Sequence, residues 1–180
     1  KKIKKPKLSE KLAEFIGIYL GDGTLTKDFV RIYGDINYDK HYFFYISTLV
    51  KSLFNIQPKI TAGGGNRLTM TISSRNLSLL LNKVFILSNG DKIRNGTKIP
   101  DSILNNEDLL KACLRGLVDT DGCIGKSGDN FKLAFTSHNK ALSDQFDEIN
   151  KKFKFFNRKY GNNFETCSFN KIQNYMNMVG

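Results

Sequence analysis

Cysteine and histidine are scarce in this sequence, and their scarcity excludes several classes of protein. The 180 residues include three cysteines, Cys113, Cys123 and Cys167, which are scattered and form no CxxC pair. This spacing argues against a disulfide framework or a zinc site and favours a reducing intracellular compartment. The two histidines, His41 and His138, fit neither a catalytic triad nor a zinc pattern, so we assign them to the surface or to helix caps.

Long apolar segments are also lacking. No apolar run reaches the roughly 18 residues of a membrane span, and we expect neither a signal peptide nor a membrane partner. Hydrophobic residues make up 40% of the chain and aromatic residues 12%, without any low-complexity tract. The sequence therefore predicts a globular protein with one ordinary domain, or with two small domains that share a core.

Acidic residues are outnumbered by basic ones. Twenty-eight Lys and Arg residues oppose 17 Asp and Glu residues, which gives a net charge of +11. Such an excess favours a polyanionic partner, either nucleic acid or an acidic membrane surface, although solubility alone is an alternative explanation. The initial segment KKIKKPK contains five lysines in seven residues, and we interpret it as a flexible arm that contacts phosphates or as a chain end without a role.

The sequence contains an internal repeat. Phe15–Gly23 aligns with Leu114–Gly122 at an offset of 99 residues. In both copies a hairpin, an amphipathic helix, a second hairpin and a last helix are predicted to follow. We therefore predict an α+β protein with two helix–hairpin–helix–hairpin–helix halves related by a pseudo-two-fold axis. The first half is placed at residues 1–88, the connecting segment at 89–106 and the second half at 107–180.

Small residues recur at every fourth position of the two repeated helices. They are Ala13, Gly17 and Gly21 in the first helix, and Ala112, Gly116 and Thr120 in the second. Glycine inside a helix costs about 1 kcal/mol relative to alanine, so its presence indicates a packing requirement. Stripes of small residues allow two helix backbones to approach closely. We predict that these helices pack on each other and hold the halves together.

Both repeated helices end in a carboxylate, Asp22 in the first and Asp121 in the second. If the helices run in the same direction, the two carboxylates meet at helix ends that carry partial negative charge. One would then be protonated unless a cation lay between them. A hard divalent cation with oxygen ligands meets this requirement, and in a basic protein it suggests metal-assisted phosphodiester hydrolysis. Asp-Gly is also a common turn or helix-cap dipeptide, which leaves a structural role open for either copy alone.

The segments LRGLVDTDG and FIGIYLGDG resemble the paired motifs of the LAGLIDADG homing endonucleases. The repeat order and the KIP segment Lys98–Pro100 also fit, so the resemblance covers nearly the whole chain. It implies a monomer with two αββαββα halves, whose antiparallel sheets form a saddle over DNA. It also implies divalent-metal-dependent cleavage of both strands across the minor groove, leaving short 3′ overhangs.

The resemblance assigns roles to individual residues by their position. The metal-binding acids would be Asp22 and Asp121, and the main-chain carbonyls of Gly21 and Thr120 would be further ligands. Mg²⁺ is the expected cofactor, Mn²⁺ is expected to substitute for it, and Ca²⁺ is expected not to activate. Asp119 occupies the earlier acid position of the motif, which is usually structural.

Active sites of the family commonly include a lysine contributed by the strands. The candidates are Lys27 and Lys126, each five residues after the motif aspartate. Either lysine could equally be a solvated hairpin residue. Cys113 and Cys123 are interpreted as packing residues and not as ligands.

Alternating strand patterns predict which side chains face DNA. In Arg67–Ser73 the apolar side chains point inward and the polar ones outward. The predicted DNA-contacting residues are Lys27, Arg31, Lys59, Arg67, Thr69, Thr71, Lys126, Lys132, Thr136, Arg158 and Lys159. Arginine can read guanine in the major groove, and threonine can contact the thymine methyl group. Because the outward residues differ between the halves, we expect an asymmetric target.

The expected function is a site-specific DNA endonuclease, with double-stranded DNA as its partner. The alternatives on the same fold are an intron-splicing maturase that contacts RNA and a DNA-binding relative that has lost cleavage. Aspartate at both motif positions favours an active nuclease, since a protein that only binds would not require them. A structural or protein-interaction module would explain neither the charge of +11 nor the paired acids.

Overall fold

The computed structural model describes residues 3–128 and 130–180. Its first series of elements is α1 (Glu10–Asp22), β1 (Gly23–Leu25), β2 (Phe29–Asp35), α2 (Lys40–Phe54), β3 (Lys59–Ala62), β4 (Arg67–Ser73) and α3 (Arg75–Val84). A short helix, α4 (Asp101–Leu104), lies in the connecting segment. The second series is α5 (Glu107–Asp121), β5 (Gly122–Ser127), β6 (Asn130–Thr136), α6 (Lys140–Phe153), β7 (Arg158–Tyr160), β8 (Asn163–Thr166) and α7 (Phe169–Met178).

The element order confirms the predicted αββαββα arrangement twice over. The side chain of Asn106 accepts a hydrogen bond from the Leu109 amide, so α5 begins one residue later, at Glu107. Helix α4 was not predicted. Within the described ranges, none of the helices combines the length and the apolarity needed to cross a lipid bilayer.

Each series forms one antiparallel four-stranded sheet. The strand orders are β1-β2-β4-β3 and β5-β6-β8-β7. One face of each sheet is apolar, as the alternating pattern predicts: Leu68, Met70 and Ile72 of β4 and Leu133 and Phe135 of β6 are all buried. The polar residues between them lie on the opposite face.

Helices cover the apolar face of each sheet. In the second half, Phe146 of α6 stacks on Phe135 at a ring distance of 4.0 Å and contacts Phe164 of β8 at 5.0 Å. In the first half, Phe15 of α1 meets Phe54 of α2 edge to face at 5.1 Å. Buried aromatic rings contribute much of the apolar area of a core. Because helices cover the apolar face of each sheet, the opposite face is left open to a partner.

Helices α1 and α5 lie side by side in the same direction, in backbone contact. A Cβ atom added at Gly17 would lie 2.0 Å from the carbonyl oxygen of Cys113, and one at Gly116 would lie 2.3 Å from that of Glu14. No real Cβ atom fits at these distances. The predicted packing of the two helices through their small residues is therefore confirmed.

An ion pair between a buried acid and a partly exposed arginine also joins these two helices. Glu14 is 3% exposed, and its carboxylate accepts hydrogen bonds from Arg115 at 2.9 Å and from the Tyr45 hydroxyl at 2.5 Å. Arg115 donates a further bond to the carbonyl of Val179 at 3.1 Å. Because an unpaired buried charge is costly, this network favours one relative position of α1 and α5.

Candidate active site and nucleic-acid interface

The paired helices bring Asp22 and Asp121 together at their C-terminal ends. A Cβ atom at Gly21 would lie 3.5 Å from the carboxyl carbon of Asp121 and 2.7 Å from the Cβ atom of Thr120. The missing side chain of Gly21 thus allows the two helix ends to approach each other. All four residues expected to hold a metal lie at this junction.

Both carboxyl groups resist ionisation in this environment. Burial raises the pKa of Asp22 to about 6, and the neighbouring Asp121 contributes to the increase. Burial also raises the pKa of Asp121, although the charge of Lys92 opposes the shift. A bound cation would relieve both the desolvation and the mutual repulsion of the two carboxylates.

Lys92, a residue that the sequence interpretation missed, lies beside the two carboxylates. It belongs to the connecting segment, and its Nζ donates hydrogen bonds to the carbonyls of Tyr19, at 3.3 Å, and of Gly21. Burial lowers the pKa of Lys92, while the charges of Asp121 and Asp22 oppose that shift. Lys92 lies outside the repeated elements, so no repeat pattern could have identified it.

The two lysines favoured from sequence lie elsewhere. Lys27 is exposed in the turn between β1 and β2, and Lys126 is exposed near the turn between β5 and β6. Neither contributes to the pKa shift of Asp22 or Asp121. The reason is geometric: each extended residue advances a strand by about 3.3 Å, so five residues carry a side chain well away from the helix ends.

The oxygen donors at the helix junction fit a hard divalent cation. They are the carboxylates of Asp22 and Asp121 and the nearby carbonyls of Gly21 and Thr120. Across the part of the chain that the structure describes, no group of three or more His, Cys, Asp or Glu side chains could hold a metal ion. Two carboxylates supplemented by water and substrate oxygens is a typical way of binding Mg²⁺.

The surroundings of the two carboxylates are not equivalent. The charge of Asp39 raises the pKa of Asp22, whereas His138 lowers the pKa of Asp121. Asp39 directly precedes α2, whereas His138 lies two residues before α6, where Asn139 takes the place of Asp39. His138 is exposed, as expected, but it also acts on the candidate site.

The open face of the first sheet presents basic and hydroxyl side chains. Strand register places Thr24, Arg31, Thr71 and Lys59 in one row across β1, β2, β4 and β3. The row is therefore rich in hydrogen-bond donors and threonine methyl groups, both of which can contact DNA bases. Arg67 and Thr69 lie in neighbouring positions of β4. Among the described residues, no acidic side chain forms an ion pair with Arg31, Lys59 or Arg67.

The matching row of the second sheet contains an acid. It consists of Cys123, Ala134, Glu165 and Arg158, across β5, β6, β8 and β7. The Glu165 carboxylate lies 3.4 Å from Lys132 Nζ and 3.8 Å from a guanidinium nitrogen of Arg158. Lys132 and Arg158, two of the predicted DNA-contacting residues, are thus ion-paired with Glu165.

Two predicted assignments require correction. Cys113 is buried, but Cys123 is exposed and is not a packing residue, because it shares the open face with Ala134. Lys159 lies opposite the buried Phe164, and its Nζ is 2.8 Å from Asp147 of α6. Lys159 therefore faces the helices and leaves the set of predicted DNA contacts.

The remaining predicted contacts occupy other places. Thr136 is exposed on the open face, where its hydroxyl donates a hydrogen bond to the side-chain oxygen of Asn163 at 3.0 Å. Lys1 and Lys2 of the initial basic segment lie outside the described residues. The Lys4 amide donates to the Phe54 carbonyl at the end of α2, at 3.2 Å. The described part of that segment is therefore attached to the helix layer.

Comparisons of sequence find a matching family model and a similar protein. A family model described as a LAGLIDADG-like domain matches residues 108–175. An A-type ATP synthase subunit of Pyrococcus abyssi (strain GE5 / Orsay) is 32% identical over 143 residues, which are 78% of this chain and 14% of the relative. The chain thus spans a small part of that relative's length.

Comparisons of structure extend the likeness to almost the whole chain. Full-length DUF199/WhiA from Thermatoga maritima is 14% identical, with a TM-score of 0.64 over 97% of this chain and 57% of that chain. The homing endonuclease I-DmoI in complex with DNA and Mn is 16% identical, with a TM-score of 0.57 over 94% and 96% of the two chains. I-DmoI with DNA and Ca gives a TM-score of 0.59 at 18% identity, over 94% and 88%. At these identities the likeness shows a shared fold.

Proposed function

This chain has the LAGLIDADG fold, and we propose that it is a site-specific DNA endonuclease that breaks both strands of a long asymmetric target. One observation carries the proposal: two carboxylates with raised pKa values meet at the ends of paired helices. A protein that only bound DNA would gain nothing from this unfavourable arrangement. A divalent cation makes it favourable.

The open faces of the two sheets are the proposed DNA-binding surface. Helices cover the opposite faces, so these are the sheet surfaces that a duplex can reach. Arg31, Lys59 and Arg67 extend from the first sheet without an acidic partner among the described side chains. The net charge of +11 favours long-range attraction of DNA. That I-DmoI carries DNA on the same fold supports this assignment.

Each residue of the candidate active site has a proposed role. Asp22 and Asp121 would hold a divalent cation, which would supply Lewis acidity toward a phosphodiester. Lys92 brings an ammonium to the same place, where it can stabilise negative charge on the phosphate. Because its pKa is lowered, Lys92 also exchanges a proton closer to neutral pH than an exposed lysine does. We propose Mg²⁺ as the working cation, with Mn²⁺ as a substitute and Ca²⁺ as an ion that permits binding only.

Incubation of the protein with a randomised duplex library tests the proposal. In Mg²⁺ we expect cut ends that share one long asymmetric sequence, and EDTA should abolish them. Asp147→Asn is a control for charge alone, because Asp147 pairs with Lys159 on the helix side of the sheet, and it should cut like the wild type. Absence of any enriched cut sequence in both Mg²⁺ and Mn²⁺ would refute the endonuclease assignment.

A non-cleaving DNA-binding protein is the second candidate. Two observations favour it: Lys92 already holds the Gly21 carbonyl, and WhiA, described as a LAGLIDADG-domain protein and not as an endonuclease, shares the fold. This candidate predicts that the library yields an enriched bound sequence that no divalent cation causes to be cut. The same experiment therefore separates the two candidates.

A further inference from the structure

Glu165 is an acid at the centre of a surface proposed to bind a polyanion. It lies on the open face of β8, since its neighbours Phe164 and Thr166 are buried. Its side chain is 15% exposed and is flanked by Lys132 and Arg158. A carboxylate in this position repels phosphates, so its presence requires another explanation.

The first sheet shows what the same position holds when no acid is present. Strand register makes Thr71 the counterpart of Glu165, and Lys59 the counterpart of Arg158. The first row carries Arg31 and Lys59 without an acid, whereas the second row has Arg158 balanced by Glu165. The central row therefore contains an acid in the second sheet and not in the first.

The Glu165 carboxylate changes what its two cations can do. A free arginine or lysine on this surface gains most from the nearest phosphate, which carries no sequence information. A carboxylate 3.8 Å from the guanidinium partly neutralises its charge and restricts its orientation. The planar fork of arginine matches the two acceptors that guanine displays in the major groove. Restricting the orientation of this fork thus favours a base contact over a phosphate contact.

We propose that Glu165 is a specificity-determining residue, which directs Arg158 and Lys132 toward guanine in the major groove and away from phosphates. The inference rests on the proposed DNA-binding function. It adds that the part of the target under the second sheet contains a G·C pair read by Arg158. Glu165 acts here as a positioning residue, through the two cations that it holds.

Replacing Glu165 with glutamine tests this role. The released cations should turn to phosphates, so Glu165→Gln should bind random duplex more tightly. The slope of log K against log salt should become steeper by about 0.9 for each phosphate gained. Preference for the G·C pair should fall at least about fivefold, the lower end of what one bidentate base contact provides. A purely structural role of Glu165 would change neither the salt slope nor the preference at one position.

Two further variants make the result specific. Asp147→Asn removes the same charge from the same half, but from the helix side, where Asp147 pairs with Lys159. It should leave the salt slope and the base preference as in the wild type. Arg158→Ala should lose preference at the same G·C pair as Glu165→Gln, without the steeper slope. Arg158 is exposed, so this variant should keep the fold.

The measurements are selection from a randomised duplex library in Ca²⁺ and titration of random duplex over a range of salt. The inference would be supported if Glu165→Gln and Arg158→Ala both lost base preference at the same G·C pair, and if the salt slope became steeper in Glu165→Gln alone. Equal changes in Glu165→Gln and Asp147→Asn, or an unaltered preference in Glu165→Gln, would overturn it while leaving the DNA-binding proposal standing. A wild-type protein that selects no sequence would overturn both.

Discussion

The two halves of the molecule share one backbone plan but surround it with different charges. The carboxylate of the first half, Asp22, has Asp39 nearby, whereas Asp121 of the second half has His138. The first sheet has cations without an acid in its central row, and the second has Glu165 between two cations. The comparison teaches that the repeat sets the positions of the functional groups, while substitutions around them make the halves unequal.

The largest expected effect comes from breaking the contact that makes the halves one unit. Gly17→Ala and Gly116→Ala each place a methyl group within 2.3 Å of a main-chain oxygen of the other helix. Overpacking at a backbone contact should lower the free energy of unfolding by about 3 kcal/mol or more. Gly64→Ala is the control, because nothing lies within 4 Å of its added Cβ atom. If urea denaturation found all three variants equally stable, the helices would not pack through Gly17 and Gly116.

Lys92→Met removes a cation that acts on both carboxylates. If its ammonium stabilises the phosphate during cleavage, the cleavage rate should fall by about 10²–10³, while binding in Ca²⁺ persists. Melting in EDTA should also occur at a lower temperature, since Asp22 and Asp121 lose their counter-ion. Lys27→Met and Lys126→Met are matched controls at the hairpin turns. A normal rate in Lys92→Met, with a loss in either control, would return the role to the strand lysines.

The inequality of the two carboxylates predicts a difference in pH dependence without metal. The pKa of Asp22 rises from 3.8 to about 6 on folding, so the folded protein binds more protons than the unfolded chain in that interval. The protonated Asp22 carboxyl therefore makes its full contribution to the stability of the folded protein below pH 3.8. That contribution is lost as the pH rises through about 6. In EDTA at pH 7, Asp22→Asn should be more stable than the wild type by roughly 1–2 kcal/mol.

Asp121→Asn should gain less, because burial is opposed by the charge of His138 at Asp121, whereas Asp121 and Asp39 add to the effect of burial at Asp22 and Lys92 acts on both carboxyl groups. The advantage of either variant should disappear in strongly acidic solution, where the wild-type carboxyl is protonated in both states. Thermal melts across the acid range would check this order. A wild type more stable than both variants at neutral pH would contradict the raised pKa values.

The smallest effect uses Cys123 as a reporter for the second sheet. Its thiol is exposed on the open face, in the row that holds Glu165. In a Cys167→Ser background, bound duplex should slow its reaction with a maleimide severalfold, because DNA would cover that face. Unchanged labelling at saturating DNA would place the duplex elsewhere.

Much of this architecture could be predicted from local sequence patterns. The repeat and the alternation in strands such as Arg67–Ser73 depend on neighbours along the chain, and so do the stripes around Gly17 and Gly116. The roles of Lys92 and Glu165 could not be predicted, because both depend on contacts between distant segments. Lys159 was placed on the wrong face because the short strand Arg158–Tyr160 has no clear alternation.

The central claim is that Asp22 and Asp121 form one metal-dependent cleavage site. Its most direct test is cleavage of the selected target duplex by the wild type, Asp22→Asn and Asp121→Asn, in Mg²⁺ and in EDTA, with binding in Ca²⁺ measured in parallel. We predict double-strand breaks only for the wild type in Mg²⁺, and comparable binding by all three proteins. Wild-type cleavage by either variant, or cleavage by the wild type in EDTA, would contradict the claim.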